Sequence, residues 1–395
     1  MKKLAFVTPW YGENIPGGAE KELRDLIKHL IENNIQLEVL TTCVKAFNSD
    51  WNENFFPEGQ TVENRVIVRR FRVDKRNTRK FDEVNYKLMN NIPITLEEEE
   101  IYIHEMINSR KLYSYIREHK DEYHAFIFIP YMFGTTYYGC LECKEKAILI
   151  PCFHDESYIY MNIYKEVFEN IKGIIYNAMP EYELANRVFD LSNVSQIILG
   201  IGMDTDIYGN SEEFTKKYNI KFPFILYVGR KDKGKNVDTL IKYFREYHIR
   251  QSSELKLVLL GGGKIDIPRD IKDKVIDLGF VSEQDKYNAY AAAELLCQPS
   301  ENESFSLVMM ESWLNKTPVL VNENCNVTSY FVKECNGGLY YNNYFEFEGA
   351  LNYILGKKKV AEYMGKSGEK FVKDNFNWTI IIKNYIDFIR GMNER

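Results

Sequence analysis

Glu303 and Glu311 stand eight residues apart in Pro299-Ser300-Glu301-Asn302-Glu303-Ser304-Phe305-Ser306-Leu307-Val308-Met309-Met310-Glu311, where a short apolar run gives way to helical spacing. Upstream, Leu295-Leu296-Cys297-Gln298-Pro299 reads as a buried strand. Downstream, Leu307, Val308, Met310, Glu311 and Leu314 recur at helical intervals, which predicts a helix starting near Ser304. The first N–H groups of such a helix have no intrahelical partners, and its dipole adds roughly half a positive charge, so a phosphate is stabilised there. On one regular helix the two carboxylates would lie about 12 Å apart along the axis, at ~1.5 Å per residue. Paired carboxyls that hydrolyse a glycosidic bond sit roughly 5 to 9.5 Å apart. The spacing therefore suits two hydroxyl-rich parts of one long ligand better than an acid/base pair across one bond.

Three further segments carry groups able to do chemistry. Val228-Gly229-Arg230-Lys231-Asp232-Lys233-Gly234-Lys235 brings fixed positive charge into a glycine-containing loop after a strand. Preorganised cations at such a place stabilise charge growing on a leaving phosphate, although in isolation the run also reads as a solvated surface. In Pro16-Gly17-Gly18-Ala19-Glu20 the glycines Gly17 and Gly18 allow backbone to approach a ligand without a Cβ clash, or simply form a turn. His154 ends an apolar strand and is followed by Asp155 and Glu156. No G-x-G-x-x-G pattern follows the first strand, which argues against a dinucleotide-dependent dehydrogenase.

Taken together, these segments resemble the family 4 retaining glycosyltransferases of GT-B architecture. Glu303 through Glu311 matches their E-x7-E motif, and the segment at Gly229 to Lys235 their strand-Gly-Arg-x4-Lys. Pro16 to Glu20 is similar to their Gly-Gly-Ala loop, and Phe153-His154-Asp155 to a His-Asp at the end of a first-domain strand. The four motifs occur in the family's order between residues 16 and 311. The resemblance implies an α/β fold of two Rossmann-like domains whose parallel sheets face an interdomain cleft. It implies that Arg230 and Lys235 hold the donor diphosphate, that Glu303 receives hydroxyls of the donor sugar, and that Glu311 receives those of the ribose. Gly17, Gly18, Gly229, Ser304, Phe305, Ser306 and Leu307 would line the donor site, and His154 would lie near the anomeric carbon. Phe280 and Val281, in Asp277-Leu278-Gly279-Phe280-Val281-Ser282, match the segment whose backbone reads the base. Glu20 either caps its helix or reaches an acceptor hydroxyl. The implied reaction is retaining and uses no metal or other cofactor. A nucleotide-diphosphate sugar is the co-substrate, a glycan or lipid-linked saccharide the acceptor, and the leaving phosphate takes the acceptor proton. Ser304 and Ser306 depart from the Pro and Gly that many relatives carry. A sugar-nucleotide epimerase of the same architecture and a catalytically silent nucleotide-sugar-binding subunit are the competing readings.

Elements able to position these residues alternate along the chain. Leu4 to Thr8, Gln36 to Thr41, Val66 to Val73, Ala125 to Ile129, Ile148 to Cys152 and Ile174 to Asn177 read as strands, with helices over Ala19 to Asn33 and through Thr95 to His119. A second series begins at Phe224 to Gly229 and continues through Leu255 to Leu260, Val275 to Phe280, Leu295 to Pro299 and Val319 to Asn322. Gly202-Met203-Asp204, which resembles the family's Gly-Val-Asp segment before the linker, marks the boundary. The expected domains are residues 1–203 on the acceptor side and 204–376 on the donor side, with a helix in 377–395 that crosses back. Every motif sits at the carboxyl end of a strand, where open parallel sheets bind ligands.

Composition narrows the function classes. A net charge of −6 argues against a generally basic nucleic-acid binder. Arg65 to Lys80 is locally basic and reads either as a weak contact with a membrane surface or diphosphate-linked acceptor, or as a strand with solvated faces and a charged loop. The N-terminal apolar run is too short for a signal peptide and no segment approaches ~18 apolar residues. The expected location is cytoplasmic, peripheral at the inner membrane face if the basic segment makes its contact. Seven scattered cysteines, with one lone Cys140-Leu141-Glu142-Cys143, fit neither a disulfide framework nor a zinc site. Asp204-Thr205-Asp206 is a D-x-D triplet in the presumed linker and is not expected to bind metal.

Overall fold

The computed structural model describes residues 2–13, 15 and 17–392, so Pro16 of the glycine motif and the last three residues of the expected C-terminal helix segment lie outside the described residues. The chain divides into two compact units. One runs to Gly202 and takes in the chain again from Ile381; the other spans Met203–Ile380.

The first unit is built on eight strands, β1 (Lys3–Val7), β2 (Leu37–Thr42), β3 (Gly59–Glu63), β4 (Val66–Phe71), β5 (Tyr123–Phe128), β6 (Ala147–Leu149), β7 (Gly173–Tyr176) and β8 (Ser195–Ile198). Their spatial order is β3-β4-β2-β1-β5-β6-β7-β8. Neighbours are parallel except at the β3 edge, where Thr61 faces Val68 in an antiparallel pair. The central strands are apolar throughout because helices cover both sheet faces: Leu4, Ala5, Phe6 and Val7 of β1 are all buried. Between β1 and β2 the helix Gly18–Glu32 turns Leu23, Leu26, Ile27 and Leu30 inward, the stripe expected at 3.6 residues per turn.

The second unit carries β9 (Phe224–Val228), β10 (Lys256–Leu260), β11 (Val275–Gly279), β12 (Leu295–Gln298), β13 (Val319–Asn322) and β14 (Gly338–Tyr341) in the order β11-β10-β9-β12-β13-β14, all parallel. Two parallel-sheet α/β units are the architecture the alternating pattern predicts.

Three local expectations need correction. The helix expected from Ser304 begins at Leu307, because Ser306 adopts a left-handed conformation with φ 74° that cannot continue a helix backwards. Glu303 therefore lies in the preceding loop, and the 12 Å helical separation does not apply. Thr95 to His119 is two helices, Leu96–His104 and Arg110–His119, the second restarted by the Ser109 side chain accepting from Leu112 N–H. Finally, β3 was not anticipated. The pair Asn64-Arg65, with φ 48° and 70°, forms a two-residue turn that folds β3 against β4.

That turn also changes the reading of the basic segment. Arg70 is buried and donates to Glu63, Thr61 and the Tyr11 carbonyl, while Arg69 pairs with Glu38 at 2.7 Å. Arg76 lies over the rings of Trp51 and Phe81. Much of the positive charge thus serves internal contacts. Among the described residues no helix is long and apolar enough to cross a membrane.

Candidate functional site

In the second unit the candidate residues gather where β9, β10, β11 and β12 end. Gly229 follows β9 and Gly261 follows β10, and they are pressed together: a Cβ on Gly261 would stand 2.2 Å from the Gly229 carbonyl oxygen. Only glycine at Gly261, with φ +111°, permits this crossing of two strand ends. The loop beyond Gly229 is then anchored by Lys231, whose buried ammonium donates to Gly261 O and Asp277 at 2.6 Å each. With Lys231 held inward, Arg230 projects outward, 58% exposed and 3.2 Å from Asp232. Asp232 in turn accepts from Lys235 N–H, starting the short turn Lys233–Lys235 that ends at Asn236 in the left-handed region.

Asn236 ties this loop to the one that follows β12. Its amide donates to Pro299 O at 3.2 Å, as does that of Asn322 from the end of β13. Lys235 Nζ consequently reaches Glu303 Oε1 at 2.6 Å, and Gln298 Nε2 donates to that same oxygen at 3.1 Å and to Ser306 Oγ at 3.3 Å. Lys235, Glu303 and Ser306 are therefore joined directly or through Gln298. Burial, then the charges of Glu303 and Asp232, push the Tyr227 phenol well above its ordinary range, and its hydroxyl donates to Arg230 O. Ser300 is fully buried and its Oγ has no hydrogen-bond partner among the described residues.

Glu311 stands apart from this cluster. Its carboxylate is buried, accepting from Lys286 Nζ at 2.8 Å and Tyr290 OH at 3.0 Å. Phe305 is turned into the core against Phe331 and Phe376, so only its backbone can face a ligand. Ser304 and Leu307 are half-buried, Phe280 is 79% exposed beside Gly262, and Val281 is half-buried.

His154, Gly17 and Gly18 belong to the first unit. Gly17 has φ +146°, and a Cβ there would stand 1.8 Å from Glu20 Oε2, so the residue must be glycine; around Gly18 the corresponding space is open. Glu20 folds over this turn and accepts from the Trp10 indole at 2.8 Å. Arg24 fixes the same loop through the carbonyls of Gly12 and Ile15. His154 is half-buried with Nδ1 3.5 Å from Glu156, while Asp155 pairs with Arg187.

Two buried acids missed in the sequence support this side. Glu181 sits in the first turn of the helix Met179–Val188 and accepts from Phe153 N–H at 2.7 Å and Asn177 N–H at 2.6 Å, fixing the backbone next to His154. Burial raises it to about 8 against the pull of these N–H groups. Glu22 is pushed up to about 8 by burial and by the charge of Glu181, with the Asn177 amide acting the other way. Pro180 and Glu181 at a helix start are a recognisable N-terminal pattern, but no spacing connects Glu181 to Glu22.

The chain is similar to known proteins in its second unit and, more distantly, over its whole fold. Residues 210–371 match the family model described as glycosyl transferases group 1. A Campylobacter jejuni protein, N-acetylgalactosamine-N,N'-diacetylbacillosaminyl-diphospho-undecaprenol 4-alpha-N-acetylgalactosaminyltransferase, is 37% identical over 189 residues, which cover 46% of this chain and 50% of that protein. The chain spans half or less of the length of this and two other curated relatives it matches. Sucrose-phosphate synthase from Thermosynechococcus elongatus superposes with a TM-score of 0.74 over the whole of both chains at 16% identity. HepE of Anabaena in complex with UDP-glucose does so at 0.68, covering 99% of this chain and 100% of that one at 13% identity. The fold is GT-B.

Proposed function

We propose that this chain is a glycosyltransferase that moves a sugar from a nucleotide-diphosphate donor to a glycan or lipid-linked saccharide, with retention of anomeric configuration and without a metal ion. The observation carrying this reading is the joining of Lys235, Glu303, Gln298 and Ser306 at the strand ends of the second unit, with Arg230 exposed nearby. A diphosphate needs cations and a sugar needs hydroxyl acceptors, and this cluster offers both. The match of residues 210–371 to glycosyl transferases group 1 supports the reading, and the undecaprenol-linked substrate named for the Campylobacter jejuni relative supports a lipid-linked acceptor. A cytoplasmic location, peripheral at the inner membrane face, accompanies such an acceptor.

In the proposed reaction the bond from the anomeric carbon to the β-phosphate oxygen breaks, and its electron pair leaves with the diphosphate. Arg230 and Lys235 stabilise that charge. The acceptor oxygen attacks from the same face and its proton passes to the departing phosphate oxygen. For Lys235 to reach a phosphate it must turn from Glu303, which then accepts sugar hydroxyls, two of which a carboxylate can take together. His154 positions the reacting groups by hydrogen bonding.

The direct Lys235–Glu303 pair also favours a second reading, a subunit that binds the donor without transferring it, since each group is already satisfied by the other. Thermal stabilisation by a panel of UDP-, GDP- and ADP-sugars in EDTA, followed by nucleotide release with and without glycan acceptors, separates the two. Stabilisation with acceptor-dependent release is expected. Binding without release on any acceptor supports the silent subunit, and a requirement for added divalent metal removes the metal-free mechanism.

A further inference from the structure

Lys286 is unusual for a residue on the inner side of a helix. It lies on the helix Glu283–Ala292, just beyond Phe280 and Val281, and its side chain is only 20% exposed. Its ammonium bonds one oxygen of Glu311 at 2.8 Å, while Tyr290, four residues on along the same helix, takes the other. Glu283 also lies 4.0 Å from it, and the ring of Tyr287 5.1 Å away. Withdrawing an ammonium and a carboxylate from water is costly, and apolar residues of similar volume often join two helices as well or better. A function for the pair beyond joining helices therefore fits its chemistry.

Hydrogen-bond capacity says what that function is. An ammonium has three N–H donors and a carboxylate about four lone-pair sites. Hydrogen bonds among the described residues use one donor of Lys286 and two acceptor sites of Glu311, leaving both donor and acceptor capacity at one place. A ribose cis-diol presents two hydroxyls, each of which donates and accepts. We infer that Lys286 is a positioning residue for the ribose of the donor: it orients Glu311 to accept from the 2′ and 3′ hydroxyls and itself donates to one of them, making the site selective for ribonucleotides over deoxyribonucleotides. The inference rests on the reading that Glu311 belongs to the nucleoside site.

The test is calorimetric binding of UDP, GDP and ADP, of their 2′-deoxy and 3′-deoxy counterparts, and of pyrophosphate, to the wild-type chain and to Lys286→Met, Lys286→Gln and Lys286→Arg. The wild type is expected to bind its preferred ribonucleotide about tenfold or more tightly than either deoxy form, the usual size of an effect from hydrogen bonds to charged groups. In Lys286→Met that ratio falls to about twofold or less while pyrophosphate binding is unchanged, and Lys286→Arg restores most of it. Lys286→Gln keeps a donor for Glu311 and is expected to fold and lose most of the ratio even where Lys286→Met does not fold. An undiminished ratio in the neutral variants, equal binding of ribo and deoxy forms by the wild type, or parallel loss of pyrophosphate binding overturns the inference alone. Failure of the wild type to bind any nucleoside diphosphate overturns the functional reading and the inference with it.

Discussion

Lys235 and Glu303 form an ion pair that, in the proposed reading, holds both groups in readiness for a donor. At 2.6 Å each neutralises the other, which removes the repulsion an isolated Glu303 would exert on an arriving diphosphate. Replacing Lys235 by Ala is expected to lower kcat by roughly a hundred- to a thousandfold, the effect of losing one preorganised charge stabiliser. Steady-state nucleotide release measures it. Glu22 makes a separate prediction. Its folded value of about 8 lies above the ordinary 4.5, so the folded chain keeps a proton that the unfolded chain gives up between those values. The associated stability is complete below about pH 4.5 and is lost as pH rises toward 8, at ~1.4 kcal/mol per pH unit for one group. Glu22→Gln is expected to flatten this slope and to be more stable than wild type at pH 8 by a few kcal/mol, as measured by urea unfolding at pH 5, 6.5 and 8.

At the level of elements, the turn into the helix Leu307–Leu314 combines strain and support. Ser306 at φ 74° carries a Cβ in a region that disfavours one, costing about 1 kcal/mol, yet its hydroxyl accepts from Gln298. Ser306→Ala loses the hydrogen bond and keeps the strain, whereas Ser306→Gly loses the bond and relieves it. The glycine variant is therefore expected to be more stable than the alanine variant by about 1 kcal/mol and close to wild type, by urea denaturation. The edge hairpin β3–β4 works differently: Arg70, a residue of β4 itself, is buried and bonded to Glu63 on β3 and to the Tyr11 carbonyl, so the turn at Asn64-Arg65 also steadies the chain at Tyr11.

On the scale of the whole chain, each unit has its own hydrophobic core, one around Phe126, Phe128 and Tyr164 and the other around Ile225, Leu257 and Phe347. Glu22 and Glu181, the two acids raised by burial, lie in the first and the candidate donor residues mostly in the second. Raising pH from 6 to 8 is accordingly expected to lower the calorimetric transition of the first unit, while the preferred nucleotide-diphosphate sugar raises that of the second. A single transition moved equally by both agents would show that the units unfold as one.

Local pattern was enough for the two parallel sheets, because buried strands and amphipathic helices repeat within windows of ten or so residues, and strand ends such as Gly229 and Pro299 follow from where those runs stop. Only with the family resemblance beside it did that pattern single out Arg230, Lys235, Glu303, Glu311 and His154 as groups worth testing. It misplaced the start of the helix at Leu307 and passed over β3, β8 and β14; the helix start and β3 depend on left-handed residues, Ser306 and Asn64-Arg65, whose side chains do not announce that conformation, and β8 and β14 are strands of only four residues. Partnership was beyond its reach. Lys235 meets Glu303 across 68 residues of sequence, Asn236 meets Pro299 across 63, and Glu181 meets Phe153 across 28. Such contacts are made by strand order, which brings β9 beside β12 while β10 and β11 lie to the other side. Spacing along a chain carries the geometry of one helix or strand; which carboxylate is paired, buried or protonated is decided only when the sheets are assembled and water is removed.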